Sequence, residues 1–370
     1  MTVVFLALII TWSNSFQQPS DLVAKFNHAV ELQQQGALKE AAAEYRSLLT
    51  AHPSYAEAHA NLGVVLAQLG QYEAASASYE AALRLAPRLT PILLNLGIAH
   101  FRAGRFDQAV TILERFLTHA PDHVQARQLL GLSLVELGRN DAAIAQLEKT
   151  IGVASDDPAV LYGLGISYLR QQYPGVNEII ERLAKLPTGL AASHLLRGQT
   201  LLGRFEFERA VAEFEAAAKL NPDLPRLPYS LGLAYLKLGR NKEAIAAFES
   251  ELRRTPQDFS TLYYLAYLHE ANEDLAASRS KLDAALKLES QSPEANALLG
   301  KILVKQGKAT EALIPLEAAT AKDPADPEKR FLLARVYQQL GRRMDAAREF
   351  AEVQRLKALQ LKNDRARTPK

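Results

Sequence analysis

Cysteine is missing from this 370-residue chain, and its absence excludes disulfide frameworks, thiolate-bound zinc, iron–sulfur clusters and thiol catalysis together. An excess of one charge is missing as well. The 43 Lys and Arg nearly cancel the 41 Asp and Glu, so no global field draws in nucleic acid, and none is expected as a partner. With one Trp and two Met, an aromatic surface has to be built from Tyr and Phe. The chain is otherwise 48% hydrophobic and 23% charged, the balance of a folded protein and not of a disordered one.

An uncharged apolar run, Val3 to Ile10, is followed by the small residues Ser13 and Ser15. It is far shorter than the roughly 20 residues of a membrane helix and fits the apolar segment of a secretion signal cut before Phe16. Residues 1–15 are therefore expected to be a signal peptide, and the mature chain to be periplasmic or secreted. Uncleaved and untargeted, it would be cytoplasmic. No Lys or Arg precedes the run, which is atypical of such signals.

A period of 34 organises the rest. Gly36, Gly70, Gly104 and Gly138 keep it, as do Pro53, Pro87 and Pro121. Leu-Gly pairs recur at Leu62-Gly63, Leu96-Gly97, Leu130-Gly131 and Leu164-Gly165, and return at Leu231-Gly232 and Leu299-Gly300. Within one period, Leu62, Gly63, Leu66 and Leu69 form a helical stripe that Gly70 ends as a C-cap glycine. A second stripe, Ala75, Tyr79, Ala82 and Leu83, stops before Pro87. Gly63 and Ala75 let two backbones approach while Tyr79 fills the space beside them. Neither helix is long enough to be stable alone, so stacked pairs must bury each other's apolar faces.

The small and large residues at these positions, together with Leu231, Gly232, Tyr235, Gly239, Ala244, Phe248 and Pro256 in a later unit, resemble the tetratricopeptide repeat (TPR) family. The resemblance implies an all-α fold, a right-handed superhelical α-solenoid of ten helix-turn-helix units. These begin at Leu22, Ala56, Thr90, Val124, Pro158, Ala191, Pro225, Phe259, Pro293 and Pro327 and cover residues 22–360. The unit at 158–190 is irregular: it is one residue short, carries Tyr173-Pro174-Gly175 at its turn, and has Pro187 in its second helix. The unit from Phe259 has Ala266 in the glycine slot, Glu273 at the turn and Ser278 in the alanine slot.

Outside the repeats lie 21 residues before Leu22 and 10 after Gln360, fewer than the roughly 50 of a catalytic domain. No nucleophile elbow, zincin helix, phosphate loop or dinucleotide fingerprint is present. His119 and His123 have the spacing of a metal pair, but Pro121 puts them in a loop between repeats and not on one helical face. Asp156-Asp157 precedes Pro158 as a helix cap. No catalytic residue, metal or cofactor is expected, and enzymatic activity is not expected either.

The expected work is protein binding. The resemblance places the first helix of each unit on a concave face, where slots 2, 5, 9 and 12 of the repeat share one side of the helix. Those slots hold Leu94, Ile98, Phe101, Tyr162, Ile166, Tyr229, Leu233, Tyr263 and Tyr267, an apolar groove suited to an extended peptide or an amphipathic helix of another protein. Asn27, Asn61 and Asn95 share slot 6 in three successive units. They resemble the asparagine ladder with which the TPR superhelix of the glycosyltransferase that attaches N-acetylglucosamine to serine and threonine grips a peptide backbone. From Arg355 the chain is basic, so residues 355–370, ending in the tail 361–370, are a candidate for weak contact with anionic membrane. A non-catalytic subunit of an enzyme or of a membrane-surface assembly is the alternative role.

Overall fold

The structure, a computed structural model, describes residues 20–152 and 157–367. The expected signal segment 1–15 and Asp156 lie outside the described residues. The chain divides into two compact units, 1–200 and 201–370. The first holds the helix pairs α1 (Ser20–Gln34) and α2 (Leu38–Ala51), α3 (Ala56–Gln68) and α4 (Tyr72–Leu85), and α5 (Thr90–Arg102) and α6 (Phe106–Leu117). It continues with α7 (Val124–Glu136) and α8 (Asn140–Leu147), a 3-10 turn Glu148–Thr150, and α9 (Pro158–Arg170) with α10 (Val176–Ala184). Helix α11 (Leu190–Gly203) contains the division. The second unit holds α12 (Phe207–Leu220), α13 (Leu227–Lys237) with α14 (Asn241–Arg254), and α15 (Phe259–Ala271) with α16 (Leu275–Leu288). It ends with α17 (Pro293–Lys305), α18 (Ala309–Lys322), α19 (Pro327–Gln339) and α20 (Arg343–Arg367). Among the described residues there is no β-strand. The fold is all-α, a solenoid of helix hairpins in each unit.

Local chemistry sets the helix ends. Gly70 takes φ +74°, and the next N–H, that of Gln71, returns to Leu66 O at 2.9 Å, which ends α3 and starts the turn into α4. Many odd-numbered helices begin on a side-chain cap: Asp157 for α9, Asp258 for α15, Ser292 for α17 and Asp326 for α19 each accept a backbone N–H of the first turn. His123 does the same for α7 through Nδ1, with its ring edge on Phe116. That accounts for His123 without a metal.

Packing follows the period. In most pairs one large side chain sits between the two helices with no exposure at all: Tyr45, Tyr79, Leu113 and Leu147 in the first unit, and Phe248, Leu282 and Leu316 in the second. Each stabilises by roughly 1.5–3 kcal/mol. A β-carbon built on Gly63 would lie 2.6 Å from the Tyr79 ring, so the glycine is what lets α3 and α4 close over that ring. In the unit from Phe259, Ala266 stands in the glycine slot. The Ser278 hydroxyl there donates to Ala266 O at 2.6 Å, so the departure is absorbed by a buried hydrogen bond.

Consecutive odd-numbered helices also touch one another. In the first unit α1 meets α3, α3 meets α5, α5 meets α7 and α7 meets α9; in the second, α15 meets α17 and α17 meets α19. The even-numbered helices have no comparable mutual packing among the described residues, so the odd helices form the tighter row of each unit.

Two regions depart from the regular pattern. Helix α10 is only nine residues long and follows Gln172 at φ +54° and Gly175 at φ +109°. At the other end, the segment 361–370 read as a tail is helical as far as Arg367, as the continuation of α20. Among the described residues no helix is long and apolar enough to cross a membrane.

Candidate functional site

The candidate surface is the row of odd-numbered helices, and the two units present it differently. In the first unit much of it is core. Leu94 and Ile98 on α5 and Ile166 on α9 are buried, because α5 packs against α3 and α7, and α9 against α7. Phe101 and Tyr162 stay half-buried, leaning on the same core. The Tyr162 hydroxyl donates to Gln199 Oε1 at 3.3 Å. The expected apolar groove is therefore reduced here to the edges of two rings.

The asparagine ladder does not form. Asn27 is exposed, whereas Asn61 has no exposed surface and Asn95 almost none. Asn61 lies against the Tyr45 hydroxyl of the preceding repeat, which itself donates to Gln33 Oε1 at 3.0 Å. Neither end of the Asn61 amide reaches good hydrogen-bond geometry there. Asn61 and Asn95 are thus closed off from a peptide backbone, and Asn27 alone does not make a ladder.

In the second unit the side chains are more available. Tyr229 and Leu233 on α13 and Tyr263 on α15 are half-buried, and Tyr267 is 42% exposed. Aromatic contacts connect Tyr229 to Tyr263, and Tyr267 stands one turn beyond Tyr263 on α15. Tyr229 meets Tyr264 at 6.2 Å between ring centroids, Tyr264 meets Tyr263 at 5.4 Å, and Tyr263 stacks on Phe259 at 6.3 Å. Tyr264 also stacks on the buried Phe248, which anchors the run to the core. Burial pushes the Tyr263 phenol up to about 12. Tyr264 was not among the expected residues. It occupies slot 6, the slot that holds Asn27, Asn61 and Asn95 in the first three units, and its aromatic character was the available signal.

Charge frames this face. Arg226, at φ +57°, places its guanidinium 4.0 Å from the Tyr229 ring centre and pairs with Asp258 at 2.6 Å. Glu251 stands on α14 in the slot that Ala285 and Ala319 fill in later repeats. It is buried, and burial raises its carboxyl while Arg226 and the Tyr229 backbone N–H oppose that rise. Its carboxylate thus serves the start of α13, which has no side-chain cap of its own. On α15, Glu270 is 1% exposed and binds Lys301 Nζ at 2.7 Å and Lys305 Nζ at 2.5 Å. Among the described residues no three His, Asp or Glu side chains converge as a metal-binding set.

Paired helices stacked through nearest neighbours, with a row of side chains along one face, define a helical-repeat protein. Residues 26–89, 129–173, 195–259 and 263–327 match a family model described as tetratricopeptide repeat, and residues 66–133 match a second of the same description. The matches cover more than half of the sequence, and the chain belongs to the tetratricopeptide repeat family. It is similar to anaphase-promoting complex subunit 3 of Schizosaccharomyces pombe, 25% identical over 182 residues that make up 49% of this chain and 27% of that protein. It is also similar to a BBSome complex member, the BBS4 homolog of Drosophila melanogaster, 27% identical over 164 residues, 44% of this chain and 33% of that one. The chain thus spans about a third or less of the length of these relatives. Among solved structures, a monomeric mutant of IFIT1 with Gppp-AAAA superposes with a TM-score of 0.53 at 18% identity, covering 92% of this chain and 82% of that one. That likeness is one of fold.

Proposed function

We propose that this protein is a scaffold that holds segments of partner proteins on its odd-helix face, chiefly in the second unit. The observation that carries the reading is the aromatic run Tyr229–Tyr264–Tyr263 leading to the exposed Tyr267 on that face. Single exposed tyrosines are ordinary, but a connected run beside half-buried leucines is what protein-binding surfaces use. Burying one such side chain is worth roughly 1.5–3 kcal/mol, and a few together offset an association cost of about 4–15 kcal/mol to leave exchangeable, micromolar binding. Two relatives are by name members of multi-subunit complexes, which supports an assembly role. The test is panning of a random-peptide phage library on the full chain, followed by titration of selected peptides against Tyr267→Ser. Loss of most of the affinity in a variant that melts like wild type is expected. Unchanged affinity would rule out this face.

A second reading has its own observation. Helix α20 carries exposed Arg355, Lys357 and Lys362, together with Leu359 and Leu361, both about half exposed, around and beyond its last buried residue, Leu356. A basic helix with exposed leucines suits an anionic membrane surface. Flotation with vesicles containing phosphatidylserine, with and without residues 355–370, tests it. Binding that persists without those residues rules it out. Export through residues 1–15 belongs to the same proposal, and amino-terminal sequencing of the secreted chain checks it.

A further inference from the structure

The odd-helix face of the second unit changes character along its length. On α13 and α15, slots 5, 9 and 12 hold Tyr229, Leu233, Leu236, Tyr263 and Tyr267, with Glu270 buried at the last position. On α17 and α19, slot 9 holds Lys301 and Arg335, and Lys305 stands one turn beyond Lys301. The Glu270 carboxylate fixes both ammonium groups of α17 while their side chains stay 42% and 39% exposed. Arg335 is exposed and has no ion pair among the described residues. Three cations thus stand against one buried carboxylate, and two of them are already ordered, which lowers the entropy lost on binding. Phe331, 42% exposed, adds an apolar contact one turn before Arg335. Glu294 and Glu328 lie at the other ends of α17 and α19, seven residues or about 10 Å along each helix. They leave the track through slots 9 to 13 cationic.

Charge complementarity selects the occupant. We infer that this face takes a partner segment that is apolar at one end and acidic at the other. Its apolar side chains seat on Tyr267 beside Tyr263, and its carboxylates meet Lys301, Lys305 and Arg335. A basic segment is repelled at α17 and α19. An uncharged one leaves Arg335 and the two lysines to water and gains only the aromatic contacts. The inference rests on the scaffold reading above and adds the class of partner to it.

The experiment uses the full chain and synthetic fluorescein-labelled peptides that share one Leu- and Trp-containing anchor. The anchor carries a run of Glu, Gln or Lys at its amino or carboxyl end, and binding is read by anisotropy. The Glu peptides are expected to bind about tenfold more tightly than the Gln peptides, with the difference eroded by salt. Arg335→Glu, a change at an exposed and unpaired side chain, is expected to abolish or invert that preference, and Tyr267→Ser to weaken all the peptides. If Tyr267→Ser weakens binding but the charged runs are equivalent, the acidic-partner inference falls and the scaffold face stands. If no peptide binds, or none responds to Tyr267→Ser, both fall.

Discussion

The Tyr337 hydroxyl donates to Glu317 Oε1 at 2.7 Å, linking α19 to α18 across a repeat junction. The same twenty-residue link joins Tyr235 to Glu215 at 3.0 Å and Tyr168 to Glu148 at 2.7 Å. At two of the three sites an arginine covers the ring, Arg342 at 4.3 Å from Tyr337 and Arg240 at 4.6 Å from Tyr235. A recurring clasp of this kind ties three of the repeats to the ones before them. Tyr337→Phe is expected to cost roughly 0.5–1.5 kcal/mol, because the exposed Glu317 recovers water when the phenol is removed. Chemical denaturation of Tyr337→Phe, Glu317→Gln and the double variant should show that the two losses are not additive. Additive losses would mean that the two groups do not interact.

Alkaline pH probes the same contact. Burial and the Glu317 carboxylate push the Tyr337 phenol up to about 12, and burial, with Tyr264, Glu294 and Tyr267 nearby, does the same for Tyr263. Both folded values lie above the ordinary 10. The stability they contribute is therefore complete below pH 10 and is lost as pH rises toward 12. Absorbance titration at the tyrosinate band should show a late-ionising class that coincides with loss of helicity. Tyr337→Phe should remove one member of that class. A single ionisation step near pH 10 in the folded chain would contradict the burial described here.

Three repeat turns hold a left-handed residue that is not glycine: Gln172, Phe205 and Glu273, at φ +54°, +63° and +63°. Phe205 is also 79% exposed, so little packing offsets the strain of a bulky side chain in that region. Phe205→Gly is expected to stabilise by about 1 kcal/mol, and Gly239→Ala, at φ +70° with open space around it, to destabilise by a similar amount. Opposite shifts in melting temperature are the result to look for. A loss of stability in Phe205→Gly would show that the Phe205–Phe207 edge contact outweighs the strain.

The asparagine of slot 6 gives a prediction that separates packing from binding. Asn61 is buried with poorly placed hydrogen-bond partners, and a group of that kind costs stability that an apolar side chain of similar size does not. Asn61→Leu is expected to leave stability unchanged or to raise it, and to leave peptide affinity untouched. A selective loss of affinity would restore a peptide-gripping role.

These cases show where the sequence was informative. Spacing of Gly and Pro reports backbone turns, which are local, so the all-α hairpin fold was legible from Gly70, Pro87 and their recurrences. Periodicity also identifies which side of a helix is apolar. It does not tell whether that side meets water or the next repeat, and Leu94, Ile98, Ile166, Asn61 and Asn95 were decided by that difference. The Tyr337–Glu317 link was visible as Tyr in slot 11 and Glu in slot 25 of the preceding unit. Slot 11 belongs to the small-and-large pattern, as Tyr235 shows, but slot 25 does not, so nothing in the alignment of the repeats paired the two. Glu251 was hidden for a different reason: a carboxylate in a packing slot reads as surface until the structure shows the helix start that it serves.

Acid separates Glu251 and Glu270, two of the buried glutamates of the second unit. Burial alone would raise the Glu270 carboxyl, yet hydrogen bonds from Lys301 and Lys305 hold it below its ordinary 4.5. Its contribution is therefore complete above pH 4.5 and is lost as pH falls through the lower folded value. Glu251 has the opposite sign: burial raises it, so the stability tied to its protonated form is complete below 4.5 and is lost as pH rises through the folded value. At pH 7, Glu270→Gln is expected to cost about 1–2 kcal/mol, less than a fully buried pair because both lysines remain partly solvated. Glu251→Gln keeps an acceptor for the Tyr229 N–H and removes a desolvated charge, so it is expected to be at least as stable as wild type at pH 7. On acidification to pH 4, wild type should approach Glu270→Gln and should close any gap to Glu251→Gln. Melting curves of the three chains between pH 4 and 7 test both signs together. Parallel curves would mean that neither carboxylate is coupled to folding in the way that its neighbours imply.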